Sequence, residues 1–386
     1  NLKSLDLHSN RVSDFSFTDK LTRLENLDLG ANRLTSLGLS PNLKELRFLN
    51  LGHNKLTRFP DSLPHGLDTL ILRSNKLEEE LTLPSYLVGL KTLDFAGNQL
   101  TNLTLPETLT ELRNLDLENN QLAHISLSES LTKLASLNLS RNNLESLKLP
   151  NSMSSLVELQ IRSNRLSEIS LPEALPKILE LNLGVSDLTT LKLPRDLSSL
   201  SSLRISGNRL ASGLTTLQLP GDLPNLTSLD ISGNQLTSVD LPESLPRLAS
   251  LSISDTQLTS LALPNELPFL TSLDLSRNQL SSLSMPAEAF HLAYLNLANN
   301  QLTHLSLSDQ FSDLIRLDVS QNPLTNLSLP KRMGLLEDLF VRDVPLASLE
   351  LPEDLTSLDW LSISNTQIVR LKLPQSIRKP TYFFLK

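Results

Sequence analysis

Apolar and polar positions along the chain repeat one phrase, L-x-x-L-x-L-x-x-N-x-L. Leu2, Leu5, Leu7, Asn10 and Val12 fill it first. It returns from Leu24, Leu46, Leu67, Leu90, Leu112, Leu134, Leu156, Ile178, Leu200, Leu226, Leu248, Leu270, Leu292, Leu314, Leu336 and Leu358. Of the 16 intervals between these 17 starts, 13 are 22 residues and the others are 21, 23 and 26. So constant a period means one small unit stacked on copies of itself. Within L-x-L the two Leu side chains point to one side and their neighbours to the other, which predicts a short strand with one buried face. A strand of four or five residues cannot stand alone, but stacked copies form a parallel ladder at about 4.8 Å spacing.

The Asn that closes the phrase falls where the chain leaves the strand. Its amide both donates and accepts, so stacked Asn side chains can satisfy the backbone of a buried turn. Thirteen units carry it, from Asn10 and Asn32 through Asn208 to Asn322. Four units depart, with Ser186, Thr256, Val344 and Thr366. Ser and Thr supply part of the bonding; Val344 supplies none and predicts a local break. Most units then continue as L-T-S-L-x-L-P, as from Leu236 to Pro242. The second L-x-L predicts a second row of short parallel strands, each ended by a Pro that cannot donate to the ladder. A turn or 3-10 segment follows, with too few residues for a long helix. The third unit lacks the second L-x-L, since Phe59 and Pro60 follow Leu56 closely, so the second row is expected to stop there. The 26-residue interval puts four extra residues between Leu210 and Leu217, with a side bulge expected over 211–216.

These residues resemble the leucine-rich repeat family, with bacterial-type units of about 22 residues, over roughly residues 2–375. The resemblance implies a solenoid (a horseshoe or arc) with a parallel β-sheet on its concave face, 3-10 and turn segments on the convex side, and little α-helix. One array of 17 repeats covering 1–386 is expected. Residues 376–386, including Ile377, Tyr382, Phe383 and Phe384, read as an irregular end. Repeat arrays need polar end units, and none is visible here, so the chain reads as a piece of a longer one whose open ends invite lateral or end-to-end self-association.

Composition narrows the chemistry. Cys is absent, which removes disulfides, thiolate metal sites and a Cys nucleophile. The net charge of −8, from 34 basic and 42 acidic residues, gives no basic stripe for nucleic acid. No apolar run is long enough to span a membrane and no leader is visible; cell-surface, secreted and cytoplasmic locations all remain open. The glycosylation-type patterns at Asn102, Asn138, Asn225 and Asn326 read as by-products of the repeat. The six His residues (His8, His53, His65, His124, His291 and His304) have no metal-ligand spacing. Asp94 and Asp116 stack in adjacent units with Glu118 beside them. Such carboxylates could hold Ca²⁺ or act as an acid/base pair; they are read here as a solvated inner face. No catalytic residue, metal ligand or cofactor site is assigned.

The outward strand positions are the remaining place for function. In the middle units they are mainly Ser, Thr, Asn, Asp and Ala. In the last four they change: Tyr294, Arg316, Asp338 and Trp360 follow one another in one row, Asn296, Asp318, Phe340 and Ser362 in the next, and Arg342 comes two residues after Phe340. Aromatic and Arg side chains on a rigid face have the composition of a protein-binding hot spot. Tyr294, Arg316, Asp318, Phe340, Arg342 and Trp360 are therefore the expected partner-binding residues. The competing reading has Phe340 and Trp360 packing against the end of the array. A second cluster, Arg47, Phe48, His53, Ile71 and Arg73, reads mainly as structure. The expected function is non-catalytic recognition of a protein or peptide. The alternatives are the recognition arm of a longer enzyme or effector, and a structural or adhesive surface protein.

Overall fold

The computed structural model describes residues 2–15, 20–40, 42–207, 213–285, 291–377 and 382–385, the last four as backbone only. The chain forms two compact units: Asn1–Leu188 with Lys192–Leu197, and Thr189–Leu191 with Ser198–Lys386.

In the first unit, nine short strands run from Ser4–Asp6 to Glu180–Asn182. Each pairs in parallel with the next, Leu opposite Leu, as in Leu5 with Leu27 and Leu27 with Leu49. In the second unit the same sheet pattern runs from Ser202–Arg204 to Trp360–Ile363. Most strands have three residues and centre on the Leu, not on the following Asp or Asn. That Leu is buried while its two neighbours face outward. Both units are parallel β-solenoid arrays. Their cores are almost entirely Leu, and the helical content among the described residues is the single 3-10 turn Asp309–Phe311. No helix among them is long and apolar enough to cross a membrane.

The Asn positions bond as their chemistry demands. Asn54 is buried. Its Nδ2 donates to Leu29 O of the preceding coil (2.9 Å) and to Leu51 O of its own (3.0 Å). Its Oδ1 accepts from Leu34 N (2.9 Å), again in the preceding coil. Asn32, Asn142 and Asn300 repeat the arrangement. Thr256 does part of the work through the Asn278 amide oxygen and, at 3.5 Å, Ile253 O. Val344 is fully buried and brings no polar atom. Asn208 lies outside the described residues.

One feature of the turn was not read from the sequence. The residue before each Asn position has positive φ in every one of the 17 repeats, from Ser9 (57°) to Asn365 (52°). Only three of these residues are glycine: Gly97, Gly207 and Gly233.

The second row exists, but as separate parallel pairs. These are Glu78–Thr82 with Gln99–Thr104 and Ser146–Lys148 with Glu168–Ser170 in the first unit. In the second unit they are His304–Ser306 with Asn326–Ser328 and Ser348–Glu350 with Arg370–Lys372. The third repeat has no strand there. At the 26-residue interval Leu214 is fully buried, and its carbonyl accepts from Gln235 N at 2.9 Å, as that of Leu236 does from Gln257 N. The repeat register is therefore restored by Leu214, earlier than expected, while residues 211 and 212 of the expected bulge lie outside the described residues. Within the expected irregular end, four residues are regular. Tyr382–Leu385 forms a strand paired in parallel with Trp360–Ile363, Tyr382 standing 22 residues after Trp360.

Candidate functional site

In the second unit, the register brings the anticipated residues side by side. Tyr294, Arg316, Asp338 and Trp360 form one row across four paired strands, and Asn296, Asp318, Phe340 and Ser362 the next. Phe340 follows Asp338 by two residues, and Asp338 is the register partner of Arg316. Arg342 follows Phe340 by two. The two arginines thus approach Phe340 from opposite directions along the strand axis. Their Cζ atoms lie 5.0 Å (Arg316) and 4.9 Å (Arg342) from the ring centroid, within cation–π range. The Trp360 ring sits 6.1 Å away at 49°, a tilted aromatic pair.

Burial divides these residues by role. Phe340 is only 7% exposed, whereas Tyr294 is 48% exposed. The arginines cover Phe340, which is a platform more than a contact surface. Arg342 Nε donates to the buried Ser362 hydroxyl at 2.6 Å. Arg316 Nε lies 3.6 Å from Asp338 Oδ2. Asp318 Oδ1 accepts from Ser320 N at 2.9 Å, so this residue shapes the turn as well as the face. Asp338 and Ser362, which anchor the two arginines, were in the sequence rows but carried no signal of that role. Phe340 is buried beneath Arg316 and Arg342 and beside Trp360.

The carboxylates of the first unit are organised differently. Arg73 reaches Asp94 (Nε to Oδ2, 3.2 Å) and Asp116 (Nη2 to Oδ2, 3.7 Å). Glu118 has Arg141 at 3.7 Å and Arg162 at 3.9 Å. Burial pushes the Asp94 carboxyl above the ordinary 3.8, against the Ala96 N–H bond and Arg73. Burial does the same to Asp116, and the neighbouring Asp94 charge adds to it. These carboxylates are held in an arginine lattice. No group of three or more potential metal ligands occurs among the described residues. In the Arg47 cluster, Arg47 Nη1 donates to Gly66 O at 2.7 Å and Arg73 belongs to the acidic lattice, so both have structural partners. His8 pairs with Asp28 and His291 with Asp313. Of the glycosylation-type sites, Asn138 bonds Glu118 and Asn225 bonds Ser198 O, so their amides are already engaged.

A parallel strand stack, a ladder of turn asparagines and a 22-residue period define a class, and comparison with known proteins gives the same one. The profile of the BspA-type leucine-rich repeat region, six copies, matches residues 90–211. Other leucine-rich repeat profiles match 1–44, 22–65, 224–265 and 269–288. YopM from Yersinia pestis, described as a leucine-rich effector protein, is 32% identical, with 86% of each chain covered and a TM-score of 0.65. YopM from Yersinia enterocolitica is 29% identical over 98% of this chain and 90% of its own, at 0.67. A leucine-rich repeat protein of Leptospira interrogans is 30% identical over 84% and 79%, at 0.60. No curated protein sequence matches. The chain belongs to the leucine-rich repeat family.

Proposed function

We propose that this chain is a non-catalytic recognition module that binds a protein or peptide through the outward face of the strands from Tyr294–Asn296 to Trp360–Ile363. The observation that carries the reading is the contact between Arg316, Phe340, Arg342 and Trp360 on a rigid sheet, in a chain with one Trp and three Tyr. Residues preorganised on strands lose little entropy on binding, and Trp, Tyr and Arg dominate measured hot spots. The likeness to a leucine-rich effector protein agrees with a recognition role.

The test begins with a partner captured by the intact chain. Tyr294→Ala, Arg316→Ala, Arg342→Ala and Trp360→Ala are then measured for affinity and for folded stability. Each is expected to weaken binding by about 2 kcal/mol, roughly thirtyfold. Ser228→Ala and Ser250→Ala, in the Ser-rich strands, are expected to bind normally. Binding retained in all four variants and lost in the Ser variants places the contact elsewhere.

A further inference from the structure

We infer that a ladder of unpaired cations in the first unit, Arg11, Arg33, Lys55 and Lys76 with Arg58 beside it, is a docking strip for a linear anionic polysaccharide. The strip is separate from the recognition face proposed above and does not depend on it.

The four rungs follow the turn residues Asn10, Asn32, Asn54 and Asn75. Backbone bonds align them from coil to coil: Arg33 N donates to Val12 O, Lys55 N to Leu34 O and Lys76 N to Leu56 O, each at 2.8 Å. Neighbouring rungs therefore stand one strand spacing, about 4.8 Å, apart. All five side chains are exposed. Among the described residues none of the five has a carboxylate within ion-pair distance, unlike Lys3 and Arg73 in the same coils.

The fold does not ask for this charge. Gln99 and Gln121 hold the same place in the next coils, with the same backbone bond at 2.9 Å. Stacked like charges repel, so four cations in succession work against folding until an external anion offsets them. The net charge of −8 conceals the row, because it is local.

The shape of the strip selects the anion. Two residues beyond the first three rungs the chain exposes hydroxyls, on Ser13, Thr35 and Thr57, whose side chains make no hydrogen bond among the described residues. An anionic polysaccharide brings charges for one row and hydroxyls for the other. The strip is one side chain wide, and its two end coils expose acids, Asp14 in one and Glu78 and Glu80 in the other. A linear chain can follow the row beside them, whereas a flat anionic bilayer would meet all three. Acidic side chains on one side of an extended peptide recur at about 6.6 Å, out of step with the rungs. Neither row offers the aromatic side chains on which single-stranded nucleic acid stacks.

The experiment titrates the full chain with size-fractionated oligogalacturonate, which has a carboxylate on every sugar, by calorimetry at low salt. Saturable binding is expected, weakening as salt rises, with none to an uncharged oligosaccharide of matched length. Arg33→Gln with Lys55→Gln and Arg58→Gln is expected to weaken it at least about tenfold. The same variant is expected to keep or raise the urea midpoint, since it removes only exposed like charges. The control, Arg247→Gln with Arg277→Gln and Arg332→Gln, takes the same charge from exposed positions in separate rows of the second unit and is expected to bind normally. No saturable binding, or equal losses in the two triple variants, overturns the strip. A lowered urea midpoint in the first variant shows that the cations serve the fold and overturns it as well. Tighter binding of polyglutamate, of oligothymidylate or of phosphatidylserine vesicles, lost in the first variant, gives the strip to that anion and overturns the polysaccharide.

Discussion

At the residue scale two positions of the repeat do opposite kinds of work. The Asn is specified by chemistry and was legible in the sequence, because only a side chain that donates and accepts can satisfy Leu34 N and Leu29 O together, as Asn54 does. Asn54→Ala leaves those buried groups unpaired and is expected to cost about 2–4 kcal/mol in urea unfolding. Asn54→Thr is expected to recover part of it, as Thr256 Oγ1 donates to Ile253 O in its own coil. The residue before the Asn is specified by backbone geometry instead. It was not legible, because residues as different as Ala31, Arg141 and Val185 occupy it. Their positive φ costs an L-residue about 1–2 kcal/mol, and a β-branched side chain suffers most. Val185, at 56°, is half exposed and loses little packing when removed. Val185→Gly is expected to raise stability by about 1 kcal/mol, after the larger backbone entropy of glycine is charged against it. Gly97→Ala, at 67°, is expected to lower stability by a similar amount. Equal signs for the two substitutions would contradict this account.

At the scale of strands, the main row was readable because alternation and a 22-residue period both point to it. The second row was readable in kind but not in extent, since its pairing depends on how closely neighbouring turns approach, a property no single unit encodes. The strand Tyr382–Leu385 was missed because Pro380 stands where a Leu opens the other units, and Phe383 replaces the central Leu. The partner face was legible as a list of residues. The stacking of Arg316 and Arg342 on a buried Phe340 was not, because it depends on side-chain direction across two strands. The adjacent strands Thr92–Asp94 and Asn114–Asp116 make a pH prediction. Both Asp carboxyls are raised above 3.8 in the folded state. Folding therefore favours their protonated forms. The stabilisation is complete below the unfolded value and is lost as pH rises through the folded values. Asp94→Asn with Asp116→Asn is expected to remove that part of the pH dependence. Denaturant midpoints of both proteins, followed from neutral pH down to about pH 4, check it; identical curves would refute it.

At the scale of the whole molecule, contacts run between a coil and its immediate neighbours, so stability is close to a sum of local terms. Asn54→Ala is therefore expected to raise amide exchange in the repeats around residues 24–77 and to leave the strands from Tyr294 to Trp360 unchanged, as hydrogen exchange with mass spectrometry reads it. Exchange raised equally everywhere would show a single cooperative block. The Asn ladder also has a direction. Val12 N waits for Asn32 Oδ1, and Leu34 N for Asn54 Oδ1, 20 residues later in each case. The amide of each arriving Asn finds a carbonyl already placed in the coil before it. A chain emerging from the ribosome can thus complete each coil only when the next has appeared. At about 5–20 residues per second, the growing end stays one coil short of closure for roughly one to four seconds per repeat, so the coils made first are the first whose turns can close.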